Sequence, residues 1–273
     1  HSAFFRSTLQ SLFLFLFVFL SGIGWISSSQ LLAKEIETSQ QNDPKPAYQL
    51  DTDEKGTVRI QNLGSHRFPV STRAQLLIDQ GLNLAYAFNH AEAYRAFQEA
   101  ARLEPSLAIA YWGQALVLGP NINAVMEPKD EPRALALIQK AVSLLDSVST
   151  KERALILALS KRYTGVANER VVNNHAYAAV MRLAYAQFPE DHDIAMLYVE
   201  SMMNLRPWNY WMPDGQPYEG TAEIVSITED VLRKNPMHPG ALHLYIHLIE
   251  PTNAPERAEA AAEHQRHQYR PAD

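Results

Sequence analysis

The sequence predicts an all-α protein, and three observations support this fold class. Apolar residues recur at three- and four-residue intervals from about residue 71 to the end of the 273-residue chain. Small, aromatic and proline residues recur in the same order in successive predicted hairpins along the same stretch. Hydrophobic residues make up 47% and charged residues 20% of the chain, which is the composition of a folded soluble protein.

The N-terminus has the layout of a secretory signal peptide. Arg6 is the only charged residue in the first 33, residues 12–20 are an unbroken apolar run, and small residues end the segment at Ser29 and Ala33. We therefore expect residues 1–33 to direct export to the periplasm or the extracellular space. An uncleaved membrane anchor is the alternative, although the run is shorter than the roughly 20 residues that span a bilayer. Contact with a membrane is expected only through this segment, if it is retained.

A polar linker follows at residues 34–70, rich in Gln, Asp, Lys, Pro and Ser and without a helical apolar period, and its last residues, 68–70, are predicted to be an extended segment that enters the first helix. A short extended piece is predicted at residues 57–60. Thr72 and Gln75 have the spacing of a capping box, which predicts the start of the first helix there. A helical domain is then expected over residues 71–273.

The first helical hairpin shows why each residue type recurs. Its first helix carries small or apolar residues at Leu77, Gly81 and Leu84, and its second helix carries them at Ala93, Phe97 and Ala100. Gly81 and Ala93 are small where two helices cross at close range. Phe97 is predicted to fill the space between one hairpin and the next, and Pro105 to end the second helix.

Four further hairpins are predicted. Their first and second helices fall at residues 108–118 and 134–141, 152–163 and 172–188, 194–205 and 222–234, and 242–249 and 256–268. Residues 122–132 form an inserted loop within the second hairpin. Residues 206–219 form a long connection, rich in Pro, Trp and Tyr, within the fourth.

These residues resemble the tetratricopeptide repeat family over residues 71–273. More narrowly, the strings at residues 88–93, 111–113, 119–123, 204–208 and 238–241 are similar to a group of bacterial exported repeat proteins. The resemblance implies a right-handed superhelical array whose first helices line a concave groove that binds a peptide or a partner protein. Similar proteins continue for further repeats, so this chain is expected to be a fragment.

A histidine cluster is the best candidate for metal chemistry. His243, His247 and Glu250 lie four and seven residues apart, which places them on one face of a helix, and His238 just before it is a possible fourth ligand. Two imidazoles and a carboxylate suit a divalent transition metal. The repeat phase of the resemblance places the three on the groove side. The alternative is that these histidines hydrogen-bond a bound ligand or one another.

A wider set of residues is predicted to line the groove or contact a ligand. It comprises Trp112, Asn121, Asn123, Glu200, Asn204, Trp208, His243 and His247. Asn side chains donate and accept at once and so suit a peptide backbone, while Trp gives contact area at little entropic cost. For Asn121 and Asn123 the alternative is that they cap the inserted loop.

Composition excludes several classes of protein. The chain has no cysteine, which excludes disulfides and thiolate ligands, and its net charge of −6 disfavours nucleic-acid binding. It contains no nucleotide-binding or hydrolase motif, so no enzymatic activity is expected. Three hypotheses remain: an exported binding scaffold; a metal-binding protein or metal-dependent enzyme; and an envelope assembly component, favoured if the last helix exposes an apolar face.

Overall fold

Ten α-helices carry the fold of the part of the chain that the structure describes, which confirms the all-α class. The structure is a computed structural model, and it describes residues 51–52, 58–60 and 63–268. These residues belong to one compact unit, Tyr48–Asp273. The predicted signal peptide lies outside the described residues. Among the helices that are described, none has the length and apolar character needed to cross a membrane.

Two short strands precede the helices. β1 (Asp51–Thr52) pairs antiparallel with β2 (Val58–Arg59), where an extended piece is predicted. The helices follow in the predicted order. They are α1 (Gln75–Tyr86), α2 (His90–Leu103), α3 (Ala108–Leu118), α4 (Glu131–Val142), α5 (Thr150–Leu159), α6 (Arg170–Gln187), α7 (His192–Met203), α8 (Thr221–Lys234), α9 (Pro239–Ile249) and α10 (Glu259–Gln268).

Each helix packs against the next along the chain, and the ten helices can be taken as five consecutive pairs. We call α1, α3, α5, α7 and α9 the first helices. Four of them, α1, α3, α7 and α9, are buried along most of their length, whereas the second helix of each pair buries mainly one stripe. Among the first helices, α1 contacts α3, α3 contacts α5, α7 contacts α9, and α9 also contacts α1. The first helices therefore form the interior of the domain.

The packing between the first two pairs depends on one aromatic ring. Phe97 of α2 is fully buried, and its ring lies against the backbone of both Gly81 in α1 and Gly113 in α3. A β-carbon at either glycine would approach the ring to 2.7 Å or 2.5 Å, well inside van der Waals contact. The predicted role of Phe97, filling the space between hairpins, is confirmed.

The start of α1 differs from the prediction. The helix begins at Gln75, and Thr72 accepts a hydrogen bond from Ala74 rather than from Gln75. The Gln75 side chain instead accepts from the Val70 backbone N–H at 2.8 Å. The capping box predicted from Thr72 and Gln75 is therefore absent, because Gln75 binds the segment that precedes the helix.

Candidate functional site

Helix α9 places two histidine side chains next to each other. His243 and His247 are separated by four residues, which is about one helical turn, so their side chains lie in the same row. Their ring centroids are 4.7 Å apart. His247 is in the last turn of the helix, where the helix dipole favours a positive charge. The predicted histidine pair thus forms at the end of a buried helix.

The hydrogen bonds of the two rings fix which nitrogen carries the proton. His243 Nδ1 is 2.6 Å from the carbonyl oxygen of Tyr86, an atom that can only accept, so Nδ1 donates. His247 Nδ1 donates to the Glu250 carboxylate at 2.7 Å. In a neutral ring with a protonated Nδ1, Nε2 carries the lone pair, which is the form that binds a metal. Glu250 therefore orients the His247 ring. Its carboxylate does not converge with the two Nε2 atoms on a common metal position.

The two Nε2 atoms face each other at 3.0 Å. Burial lowers the pKa of His243 below its ordinary value, so this ring is neutral at pH 7 and its Nε2 accepts. Two facing lone pairs at this distance repel unless a proton or a cation lies between them. For a metal–nitrogen distance of about 2.1 Å, a 3.0 Å separation corresponds to an angle at the metal of about 90°.

Two strained aromatic residues enclose the pair. Phe88 and Trp208 are the non-glycine residues with positive φ, at 56° and 62°, within the described ranges. The Phe88 ring lies 4.4 Å from His243, and Trp208 approaches His247 edge-on at 5.0 Å. Backbone strain of this kind concentrates at functional sites, so the coincidence supports a site here.

The geometry of the turn after α1 explains the position of Phe88. Its N–H bonds to the Ala85 carbonyl, and the next N–H, of Asn89, bonds to the Leu84 carbonyl. This is the Schellman motif, whose left-handed position is normally glycine. Phenylalanine there places an aromatic ring against the histidine pair at the cost of backbone strain.

His66, Asp193 and His238 form a second histidine cluster, and they are close enough together to hold a metal ion. The hydrogen bonds argue against one. His238 is the N-cap of α9, and its Nδ1 accepts from the Ala241 N–H at 3.2 Å. The proton of the neutral ring is then on Nε2, which points to Asp193 at 3.4 Å. The prediction that His238 joins the site of His243 and His247 is therefore wrong, because capping commits its lone pair elsewhere.

Asp193 is the centre of this second cluster. It accepts from His66 Nε2 at 2.8 Å and from the Tyr86 hydroxyl at 2.9 Å, and Lys151 lies 3.5 Å away. Burial opposes its ionisation, but the hydrogen bond from His66 and the nearby His238 ring outweigh burial and hold the pKa of Asp193 well below the ordinary range. The carboxylate is a buried acceptor of two side-chain hydrogen bonds.

The other predicted groove residues are partly brought together. Asn204 Nδ2 donates to the Pro120 carbonyl at 3.3 Å and to Glu200 at 3.4 Å, and burial raises the pKa of Glu200. Asn121 accepts from the backbone N–H groups at positions 123 and 124, which is the predicted alternative of a loop cap, and Asn123 is exposed. Trp112 is 1% exposed.

Sequence reasoning missed a segment that covers Trp112. Residues 63–70, which we call the strap, run across the first helices, and the Phe68 ring stacks on Trp112 with a centroid distance of 6.4 Å. Three polar side chains on one face of α1, Gln75, Asp79 and Asn83, hold the strap. Their spacing of four residues on a mostly buried helix is the signal that could have indicated this role.

Searches of protein-family models, curated proteins and solved structures found no match to this chain. The functional argument therefore starts from the geometry of the two histidine clusters and the strap.

Proposed function

We propose that this chain is a helical-repeat protein of the tetratricopeptide type that binds a divalent transition-metal ion through His243 and His247. One observation carries the metal assignment: the facing Nε2 atoms, 3.0 Å apart, belong to rings whose Nδ1 atoms are both engaged as donors. A backbone carbonyl and a carboxylate are the usual partners that orient metal-binding histidines. The repeat assignment is supported by the five helix pairs and by the packing of Phe97 between pairs.

The geometry also narrows the choice of metal. An angle of about 90° between two nitrogens suits square-planar or octahedral coordination, whereas tetrahedral Zn²⁺ prefers a wider angle. Cu²⁺ and Ni²⁺ are therefore the favoured ions. The two imidazoles supply two ligands, and water or a donor group of a bound molecule completes the shell. The His247 side chain is 16% exposed, which gives solvent access to this position.

Calorimetric titration of the full chain with Ni²⁺ or Cu²⁺ tests the assignment. We expect one equivalent to bind, and His243→Ala or His247→Ala to weaken that binding about 100-fold or more. His264→Ala is the matched control, because His264 is also helical but exposed. A control variant that loses as much affinity as the other two, or a wild-type protein that binds no metal, would overturn the proposal.

A proton is the alternative occupant of the gap between the two Nε2 atoms. His247 would then be an imidazolium that pairs with Glu250 and donates to His243. Metal and proton compete, so metal affinity should fall as the pH is lowered through the range in which imidazole titrates. Titrations at two pH values separate the cases: a metal site loses affinity at the lower pH, and a proton-only pair binds no metal at either.

The peptide-binding function that the family resemblance implies is a second proposal. It is favoured by a specific observation: an extended segment, the strap, already lies against the first helices.

Export remains part of the proposal and is supported by the apolar run at residues 12–20. Mass analysis of the protein from a native host tests export, since a cleaved chain lacks residues 1–29 or 1–33. Assembly through an apolar face of α10 is not favoured, because its described exposed positions are Glu259, Ala260, Ala262, Glu263, His264 and Arg266.

A further inference from the structure

The strap is held as a peptide ligand is held, by side chains that bind its backbone. The Phe68 N–H donates to Asp79 Oδ1 at 2.8 Å, and the Phe68 carbonyl accepts from Gln75 Nε2 at 2.7 Å. Asn83 Nδ2 donates to the His66 carbonyl at 3.1 Å. Backbone contacts of this kind are independent of the bound sequence, so α1 presents a row of polar groups suited to any extended chain.

Side chains of the strap alternate between inside and outside. Phe68 is 1% exposed and His66 is partly buried, whereas Arg67 and Pro69 between and beside them are exposed. This two-residue alternation is that of an extended peptide lying on a surface. The strap has no helix or strand of its own.

Phe68 is the apolar anchor of the strap. Its ring stacks on Trp112 of α3 at an interplanar angle of 14°, and the Lys151 ammonium of α5 lies 4.1 Å from the ring centroid. Aromatic and cation–π contacts of this type provide much of the binding energy of peptide anchors.

His66 provides the polar anchor. Its Nε2 donates to Asp193 of α7 at 2.8 Å, and its ring lies 4.6 Å from that of His238, the N-cap of α9. With the contacts on α1, α3 and α5, the strap touches elements of all five pairs. A cavity of about 400 Å³ opens beside the strap, and its lining includes residues of the strap and residues at the start of α7.

We propose that the first-helix face is a peptide-binding surface and that the strap is its intramolecular occupant, which a partner peptide displaces. The partner is an extended segment with an aromatic residue in the Phe68 position and an N–H donor two residues earlier to reach Asp193. This inference rests on the proposed peptide-binding function and is independent of metal binding. Because the strap occupies this face, the apparent affinity for a partner is the intrinsic affinity multiplied by the fraction of time that the face is free.

A labelled synthetic peptide with the sequence of residues 63–70 tests this inference by fluorescence anisotropy on the full chain. We expect Phe68→Ala to raise the affinity for the peptide about tenfold or more, because the competing strap loses its anchor. Ser65→Ala is the matched control, since Ser65 is an exposed residue of the strap, and it should bind like the wild type. A second peptide with alanine in place of the phenylalanine should not bind.

The outcomes separate self-occupancy from peptide binding. If the folded Phe68→Ala protein binds no peptide, the peptide-binding function fails. If the variant binds the peptide with the same affinity as the wild type, the face binds peptides but the strap does not compete with them. The proposal of self-occupancy then fails, and the peptide-binding function stands. Hydrogen exchange of the wild type gives a test that needs no variant. The Phe68 and Val70 amides should exchange through local release of the strap, faster than the amides in the middle of α3. If they exchanged only on global unfolding, the proposal that a partner displaces the strap would fail.

Discussion

Tyr86 and His243 are joined by a hydrogen bond that spans 157 residues of sequence: the Tyr86 carbonyl accepts from His243 Nδ1 at 2.6 Å. The hydroxyl of the same tyrosine donates to Asp193 at 2.9 Å. Burial, with the Asp193 charge, raises the pKa of Tyr86 well above its ordinary value, so the hydroxyl remains a donor. One residue thus supports both histidine clusters, through its backbone for one and its side chain for the other.

Tyr86→Phe separates these two roles. The substitution removes a donor from the buried Asp193 carboxylate and should destabilise the fold by about 2 kcal/mol. Metal affinity should not change, because the carbonyl that orients His243 is kept. Urea unfolding and metal titration of the same preparation measure both quantities. A large loss of metal affinity in a stable variant would contradict the separation.

Glu250→Ala tests whether this carboxylate orients the metal site. Loss of the hydrogen bond to His247 Nδ1 should weaken metal binding about tenfold, because the ring is no longer fixed in orientation and tautomer. Glu256→Ala is the control, since Glu256 is an exposed carboxylate that follows six residues later. Equal affinities in the two variants, measured by calorimetry, would remove Glu250 from the site.

Position 88 allows strain and ring contact to be measured separately. At a φ of 56°, glycine is comfortable and alanine is not, so Phe88→Gly should be more stable than Phe88→Ala by about 1 kcal/mol. Both variants lose the ring that lies against His243 and should bind metal equally weakly. Denaturant unfolding decides the first expectation, and an alanine variant as stable as the glycine variant would show that the turn relaxes.

The helices could be predicted from the sequence because their signal is local. The apolar period depends on neighbours three to four residues apart, and the packing roles of Gly81 and Phe97 followed from their size together with their positions in the repeat pattern. The same local reasoning placed His243 and His247 side by side. It left open whether Glu250 is a ligand or a partner of the histidines, since spacing shows that a carboxylate is near but does not show which nitrogen it reaches.

The remaining features depend on contacts between distant parts of the chain. His66 meets Asp193 across 127 residues, and no spacing rule predicts this pair. The strap was predicted as the end of a polar linker and extended entry segment, without any contact to the first helices, because its composition is polar and it has no helical period. Its place in the fold comes from Phe68 and the polar row on α1, which are recognisable only once the first helices are assembled.

His90 should make stability depend on pH. Burial lowers the pKa of His90 to about 4, below its ordinary value of 6.5, so the unfolded chain binds a proton at His90 before the folded chain does. The stability is therefore complete above pH 6.5 and falls as the pH is lowered toward 4, by an amount on the order of 3 kcal/mol. His90→Gln should remove this slope. Unfolding free energies of both proteins at several pH values test it, and parallel curves would contradict it.

Gly81→Ala should destabilise the domain, and its effect should reverse when Phe97 is made smaller. The new β-carbon would lie 2.7 Å from the Phe97 ring, which is fixed from the other side by Gly113. Overpacking of this kind costs about 1–3 kcal/mol. In a Phe97→Leu background the clash is relieved, and alanine then stabilises the helix relative to glycine by up to about 1 kcal/mol. A double-mutant cycle of unfolding free energies measures the coupling. Additive effects of the two substitutions would mean that Phe97 does not set the distance between the first and second pairs.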